Sequence, residues 1–233
     1  MRSASLLAGL VLISAVFAIG RAVPYLRGPA VLASVLIAFN DLHIFYSQQT
    51  RSYALYSALV GLLVLWAFFL DEYQSRAGFW AIGAVLMSAI VHTHYFGVLF
   101  IGCVLIPLWY SKLPARTKIS SITAATVAAL SFIPWLVILL GAVKEKGKVD
   151  NVNWEPLPQF YALRGAIGRL FGIPDIPGGT TLVVLIGFVL ALLGIATARR
   201  HVPGRLLAML AMIAVGPLIL LFVLGQPPFE SVS

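Results

Sequence analysis

Long apolar runs separated by short polar gaps recur along the whole chain. Eight can be drawn: Ala4–Gly20, Pro24–Phe39, Ala54–Leu70, Phe79–Val91, Tyr95–Tyr110, Ile119–Val143, Thr180–Ala198 and Leu206–Gly225. Runs approaching or exceeding ~18 apolar residues read as membrane-crossing helices. A transmembrane β-barrel would need alternating segments of ~10 residues, and these runs do not alternate. The expected fold class is therefore all-α: one polytopic helical membrane domain over residues 1–233, with about eight spans. Several runs fall short of ~20 residues, which predicts thinning, tilt or buried half-helices. Phe79–Tyr110 is nearly continuous, interrupted by His92-Thr93-His94 and Gly97. As one helix at ~1.5 Å per residue it would measure about 48 Å, longer than a bilayer core needs, so a hairpin of two short helices is expected.

The gaps carry the charge. Arg21 and Arg27, then Arg76, then Lys112, Arg116 and Lys118, then Arg199, Arg200 and Arg205 occupy alternate gaps. In an eight-span bundle they share one side, cytoplasmic by the positive-inside tendency. The other side receives a polar stretch at 39–53, the His92–His94 corner and a loop at about 144–179. Lys144, Lys146 and Lys148 run against a strict charge count there, as longer translocated loops do. In that loop Trp154, Phe160, Tyr161 and Phe171 alternate with prolines as an interfacial lid would. Gln159–Phe171 suits a short amphipathic helix carrying Arg164 and Arg169. Pro134, inside a run, predicts a kink or a reshaped cavity. The topology starts the chain outside the cytoplasm, and Ala15–Gly20 offers no persuasive signal-peptide cleavage site. The expectation is an internal piece of a longer protein, truncated at both ends.

Composition changes the picture in two ways. Of 233 residues 61% are hydrophobic and 10% charged, against roughly 45–50% and about 25% in a soluble domain. That is too little polar surface to cover a globule. The net charge of +8, from 16 Lys+Arg and 8 Asp+Glu, would suggest nucleic acid in a soluble domain. Here the cations flank apolar runs, where they orient spans and meet anionic head groups, so membrane lipid is an expected partner and nucleic acid is not. Cys103 is the single cysteine, inside a run, which excludes an intramolecular disulfide or a cysteine-based metal site.

The candidate chemistry concentrates in Phe39–Tyr53, where Asn40, Asp41, His43, Ser47, Gln48, Gln49, Thr50 and Arg51 lie between two runs. Polar groups beside hydrocarbon are costly unless they bind something. The stretch predicts an outer interfacial helix over about 40–53 that continues into the third span. At ~100° per residue, Ser47, Gln48 and Arg51 would then share one face, with His43 a turn before. Tyr46, Gln49, Tyr53 and Tyr56 would share another. The first face suits a phosphate, because a guanidinium binds oxyanions bidentately and keeps its proton. Snorkelling of Arg51 to head groups, or pairing with Asp41, fits the residues equally. The tyrosine face matches an interfacial aromatic belt. His92 and His94, two residues apart, would point to different helix faces and would not readily share one metal ion. Neither an HExxH pattern nor an EF-hand loop occurs. The outer acids Asp41, Glu145, Asp150, Glu155, Asp175 and Glu230 include none poised as a general base.

His43-Ile-Phe-Tyr-Ser-Gln-Gln-Thr-Arg-Ser-Tyr-Ala-Leu55 resembles the "YSQ-x-x-R-x-YAL" signature of the membrane glycosyltransferase superfamily that uses polyprenyl-phosphate-linked sugars. The resemblance is to its protein-mannosyltransferase-like, rhizobial galacturonosyltransferase-like and aminoarabinose-transferase-like members. Arg2-Ser3, Thr93-His-Tyr-Phe-Gly97 and Pro134-Trp135 before Trp154-Glu-Pro fit in the same order, so it covers nearly the whole chain. It implies inverting transfer from a polyprenyl-phosphate sugar donor to a lipid, glycan or protein acceptor, outside the cytoplasmic face of a bacterial or archaeal plasma membrane. A divalent cation sometimes assists, and no other cofactor is implied. Gln48, Arg51, Tyr53 and His94 are the substrate-binding candidates it carries over. The family's catalytic aspartate lies in a first large extracytoplasmic loop that this sequence lacks, so the catalytic residue is unassigned. Leu55-Tyr56 also stands where the mannosyltransferase-like branch often has Leu-Asp. Two alternatives stay open: a transporter or channel, whose polar residues near broken helices would line a path, and a catalytically incomplete scaffold.

Overall fold

The computed structural model describes residues 2–49, 52–94, 96–145, 194 and 196–224, and every regular element among them is helical. In chain order these are α1 (Arg2–Ala22), a 3-10 turn (Pro24–Leu26), α2 (Arg27–Ala38), α3 (Asp41–Gln48), α4 (Tyr53–Phe68) and α5 (Leu70–Tyr73). Then come α6 (Ala77–Thr93), α7 (Gly97–Tyr110), α8 (Ala115–Glu145) and α9 (Gly204–Leu224). Seven of the eight expected runs correspond to helices, and the eighth, Thr180–Ala198, lies mostly outside the described residues. The loop at 144–179 lies outside them too, apart from Lys144 and Glu145 at the end of α8.

Length separates these helices into two groups. Among the described residues, Ser3–Ala22 and Ala115–Ile138 are long and apolar enough to cross a membrane. Pro24–Ala38 with Asp41–Gln48 makes a third if a pair bent by 58° counts as one span. Helices α2, α4, α6 and α7 have only 12, 16, 17 and 14 residues, below the ~20 of a full crossing. The α6–α7 hairpin forms as the interruption predicts, with His94 extended at φ −157°, ψ 129° between the two helices. Helix α8 continues through Pro134.

Specific contacts fix the helix directions. Along α1, Ala8 clusters with Ala54 and Ala58 of α4, and Gly61 of α4 lies farther along against Leu12 and Ala15, so α1 and α4 run parallel. Antiparallel α2 is tied to α1 by Ser34 Oγ, which donates to Ala30 O at 2.7 Å and Ile13 O at 3.4 Å, and by Gly20 against Arg27 and Ala30. Helix α6 runs back along α4, with Trp66 Nε1 donating to Phe79 O at 2.9 Å. Midway along α7, Cys103 Sγ approaches Met212 O of antiparallel α9 at 3.4 Å. The centre of the bundle is apolar, with Leu63, Met87, Ile90, Val104, Leu206 and Met209 fully buried.

This up-and-down path gathers all four basic corners at one end. Tyr25 stacks on His201 with ring centroids 4.3 Å apart, Asp71 pairs with Arg205, and Thr117 Oγ1 donates to Gln74 Oε1 at 2.5 Å. These contacts link the first corner to the fourth, the second to the fourth, and the second to the third. The polar stretch and the His92–His94 corner lie at the opposite end, where Tyr53 and Tyr56 meet His94. Between the ends the outside of the bundle is apolar. Only 28% of the α1 window and 17% of the α8 window is buried, and Val85 is 67% exposed. In water that surface would be an aggregation or docking liability; against hydrocarbon it is the ordinary exterior.

Close approach of α4 and α6 depends on Gly83. A Cβ there would lie 2.7 Å from Cζ2 and 2.8 Å from Cε2 of the Trp66 indole. That ring is held by its bond to Phe79 O and by stacking on Phe79 at 4.8 Å, so it has little room to yield. Gly83→Ala is expected to destabilise the bundle by about 1–3 kcal/mol. In Gly102→Ala the added Cβ meets only Ile106 Cδ1 at 3.9 Å, and up to ~1 kcal/mol of helix propensity is gained. Thermal unfolding of the two variants in one detergent checks this ordering, and equal melting temperatures would contradict it.

Candidate functional site

Helix α3 starts on a side-chain cap. Asn40 is extended, and its Oδ1 accepts from His43 N at 3.0 Å, satisfying one of the first-turn donors that a helix leaves unpaired. Asp41 follows in the first turn, where its charge complements the helix dipole. Two polar residues of the stretch are thereby engaged in starting the helix.

The predicted continuation of this helix to residue 53 and into the next span does not occur. The helix ends at Gln48, Gln49 is extended at φ −87°, ψ 150°, and α4 begins at Tyr53. The cause is packing on α1. Ser47 abuts Gly9 while Ala54 and Ala58 cluster round the adjacent Ala8. In one continuous helix Ser47 and Ala58 would be about 16 Å apart along the axis at ~1.5 Å per residue. Both ends of the stretch can reach residues 8–9 only if the chain turns between them.

The break rearranges both expected faces. Ser47 does not face outward for a phosphate; it is buried against α1, its Oγ has no partner among the described residues, and the His43 ring lies beside it against Gly9. Gln48 is exposed and lines a small recess of ≈ 150 Å³ with Gly9, His43 and Ser47. Arg51 and Thr50 lie outside the described residues. The tyrosines of the expected interfacial belt gather on the His94 ring, with Tyr53 exposed and Tyr46 and Tyr56 half-buried.

Tyr46 and Tyr53 meet across the break at 5.0 Å between centroids, Tyr53 lies 6.0 Å from the His94 ring, and Tyr56 lies 5.2 Å from it. Of the four substrate-binding candidates, the structure brings Tyr53 and His94 together. Tyr56 was not among the candidates, yet it belongs to this cluster, and its buried hydroxyl has no partner among the described residues. Its spacing three residues after Tyr53 was the available signal, since that spacing puts both rings on one helix face.

His94 is oriented by its own corner. Its Nδ1 accepts from Phe96 N at 3.3 Å and its ring stacks on Phe96 at 5.5 Å. In the neutral ring this assigns the proton to Nε2, making that nitrogen a donor. His92 turns to α8, with Nε2 3.4 Å from Ser131 Oγ and its ring 5.6 Å from Phe132. The two histidines therefore diverge as their spacing predicts. Among the described residues no three His, Cys, Asp or Glu come together to hold a metal ion.

Beside the tyrosines a groove of ≈ 610 Å³ opens between α2, α3 and α4. Asn40, Asp41, His43 and Tyr46 line its polar mouth, and Leu12, Leu36 and Ile37 its apolar wall. A headgroup at the mouth with a hydrocarbon tail along the wall fits that division. Searches of protein-family models, curated proteins and solved structures find no match to the chain.

The Gly9–Ser47 contact supports the break, so its disruption is informative. A Cβ on Gly9 would overlap Ser47 Oγ and would sit 3.2 Å from Ser47 Cβ and 3.3 Å from His43 Nε2. Gly9→Ala is expected to cost about 1–3 kcal/mol. Ser47→Ala removes an unpartnered buried hydroxyl and is expected to be neutral or stabilising. The double variant should recover most of the loss. A double-mutant cycle by thermal unfolding measures this, and additive effects would contradict the contact.

Proposed function

We propose that this chain is the membrane body of a glycosyltransferase that takes a sugar from a polyprenyl-phosphate donor. About eight spans cross the membrane, with the basic corners cytoplasmic and the Tyr53–His94 cluster on the extracytoplasmic side. The acceptor is a lipid, glycan or protein hydroxyl. The observation that carries this proposal is the chain of ring contacts from Tyr46 through Tyr53 to His94 and Tyr56, of which Tyr46 also lines a groove with an apolar wall. The likeness of residues 43–55 to a polyprenyl-phosphate-sugar signature agrees with it. Nine Lys and Arg in the four corners of the opposite end (Arg21, Arg27, Arg76, Lys112, Arg116, Lys118, Arg199, Arg200 and Arg205) favour that orientation.

In this proposal the acceptor oxygen attacks the anomeric carbon, the bond from that carbon to the phosphate oxygen breaks, and the configuration inverts. The leaving lipid phosphate gains charge, which a preorganised donor stabilises. His94 Nε2–H and the Arg51 guanidinium are the assigned phosphate contacts. Tyr53 and Tyr56 wall the sugar, and Gln48 hydrogen-bonds to the donor from the α3 side. The base that removes the acceptor proton is not assigned.

Photolabelling with a diazirine-bearing polyprenyl phosphate in nanodiscs tests the donor site. Label is expected on α2–α4 and the 92–97 corner, displaced by polyprenyl-phosphate sugar. Arg51→Ala and His94→Ala should each weaken competition about tenfold or more, the worth of a lost charge-assisted hydrogen bond. Undiminished competition in both would contradict these roles. Flux of free sugar through proteoliposomes would favour a transporter instead.

A further inference from the structure

We infer that the groove between α6 and α8 at the basic end binds one anionic phospholipid of the cytoplasmic leaflet. The inference rests on the membrane orientation proposed above, but uses different residues. The two helices start at the same end and run parallel, as Gln74 bonding to Thr117 and, a long way on, Ser131 meeting His92 require. Between them lies a groove of ≈ 330 Å³.

Its mouth carries Ser75, Arg116 and Ser120, and its walls are built from Ala77, Ala81 and Ala84 on α6 with Ala124 and Val127 on α8. Other polar groups of the lining are already engaged. Gln74 Oε1 accepts from Thr117, Trp80 Nε1 donates to Gln74 O at 2.8 Å, and Thr123 Oγ1 donates to Ile119 O at 3.0 Å. Among the described residues Ser75, Arg116 and Ser120 have no hydrogen-bond or ion-pair partner. They offer a guanidinium and two hydroxyls to one ligand oxyanion.

Charge and length select the occupant. No acid lines the groove, and of the two acids in the neighbouring corner, Asp71 and Glu72, the first is paired with Arg205. Lys112 and Lys118 add positive potential without lining it. From Arg116 to Val127 the wall extends about 16 Å at ~1.5 Å per residue, close to half of a ~30 Å hydrocarbon core. A phosphate on Arg116 with an acyl chain along the alanines fills one leaflet. Branched residues would close the space that alanine leaves. A zwitterionic lipid would bring its own cation against this end, which favours the anionic headgroup.

Native mass spectrometry of the full chain released from vesicles of phosphatidylglycerol and phosphatidylcholine tests the site. The expected result is one retained phosphatidylglycerol. Arg116→Gln should lower its retention about tenfold or more, the loss of a charged hydrogen bond. Ala81→Leu should lower it with no change of charge. Lys112→Gln removes the same charge outside the groove and should leave it unchanged. Equal retention of the two lipids, or equal losses in Arg116→Gln and Lys112→Gln, would overturn the site. Vesicle flotation of each variant separates the two levels. A chain that floats but shows no preference overturns the site alone, whereas a chain that does not float overturns the orientation and the site together.

Discussion

Every polar corner among the described residues reaches one of two ends, because the helix interiors packed between them are almost wholly apolar. The central residues Leu63, Met87, Ile90, Val104 and Met209 offer no hydrogen bonds, and an unpaired polar group there would cost several kcal/mol. The contacts that close the basic end follow from this segregation. Asp71 finds Arg205, Gln74 finds Thr117, and Tyr25 finds His201, each across a long stretch of sequence. Once that end is closed the directions of α1, α2, α4, α6, α7, α8 and α9 are set. The histidine corner and the polar stretch are left together at the other end.

At that second end the decisive feature is small. Helix α1 presents Ala8 and Gly9, and both α3 and the start of α4 pack onto them. Bringing α3 and the start of α4 to the same level of α1 keeps them from forming one helix, and Tyr53 and Tyr56 at the start of α4 lie against His94. The His94 ring is in turn held by the Phe96 amide. Ring contacts and the Phe96 amide thus hold this cluster in place.

Much of the fold was legible in the sequence because apolar runs and polar corners are local features. The corner around His92–His94 marked a hairpin, and the alternate basic gaps marked one end, since each depends on the order of residues alone. The break after Gln48 was not legible. Gln49-Thr50-Arg51-Ser52 region contains neither glycine nor proline, so nothing local stops a helix; the stop comes from Gly9 and Ala8, some 40 residues earlier. The burial of Ser47 against Gly9 and the contact of Tyr56 with His94 depend on that long-range packing and not on their sequence neighbours. Helix length was only partly legible, since polar corners cut α2, α4, α6 and α7 below a full crossing while α1 and α8 keep it.

In the proposed arrangement the two polar ends face opposite sides of a membrane. Cysteine accessibility tests it most directly, in a background where the buried Cys103 is replaced by alanine. Ser52→Cys at the tyrosine–histidine end should react with an impermeant maleimide in intact cells. Ser75→Cys and Ser111→Cys at the basic end should react only after the membrane is permeabilised. Reaction of both ends from the same side, or of the basic end from outside, would contradict that arrangement.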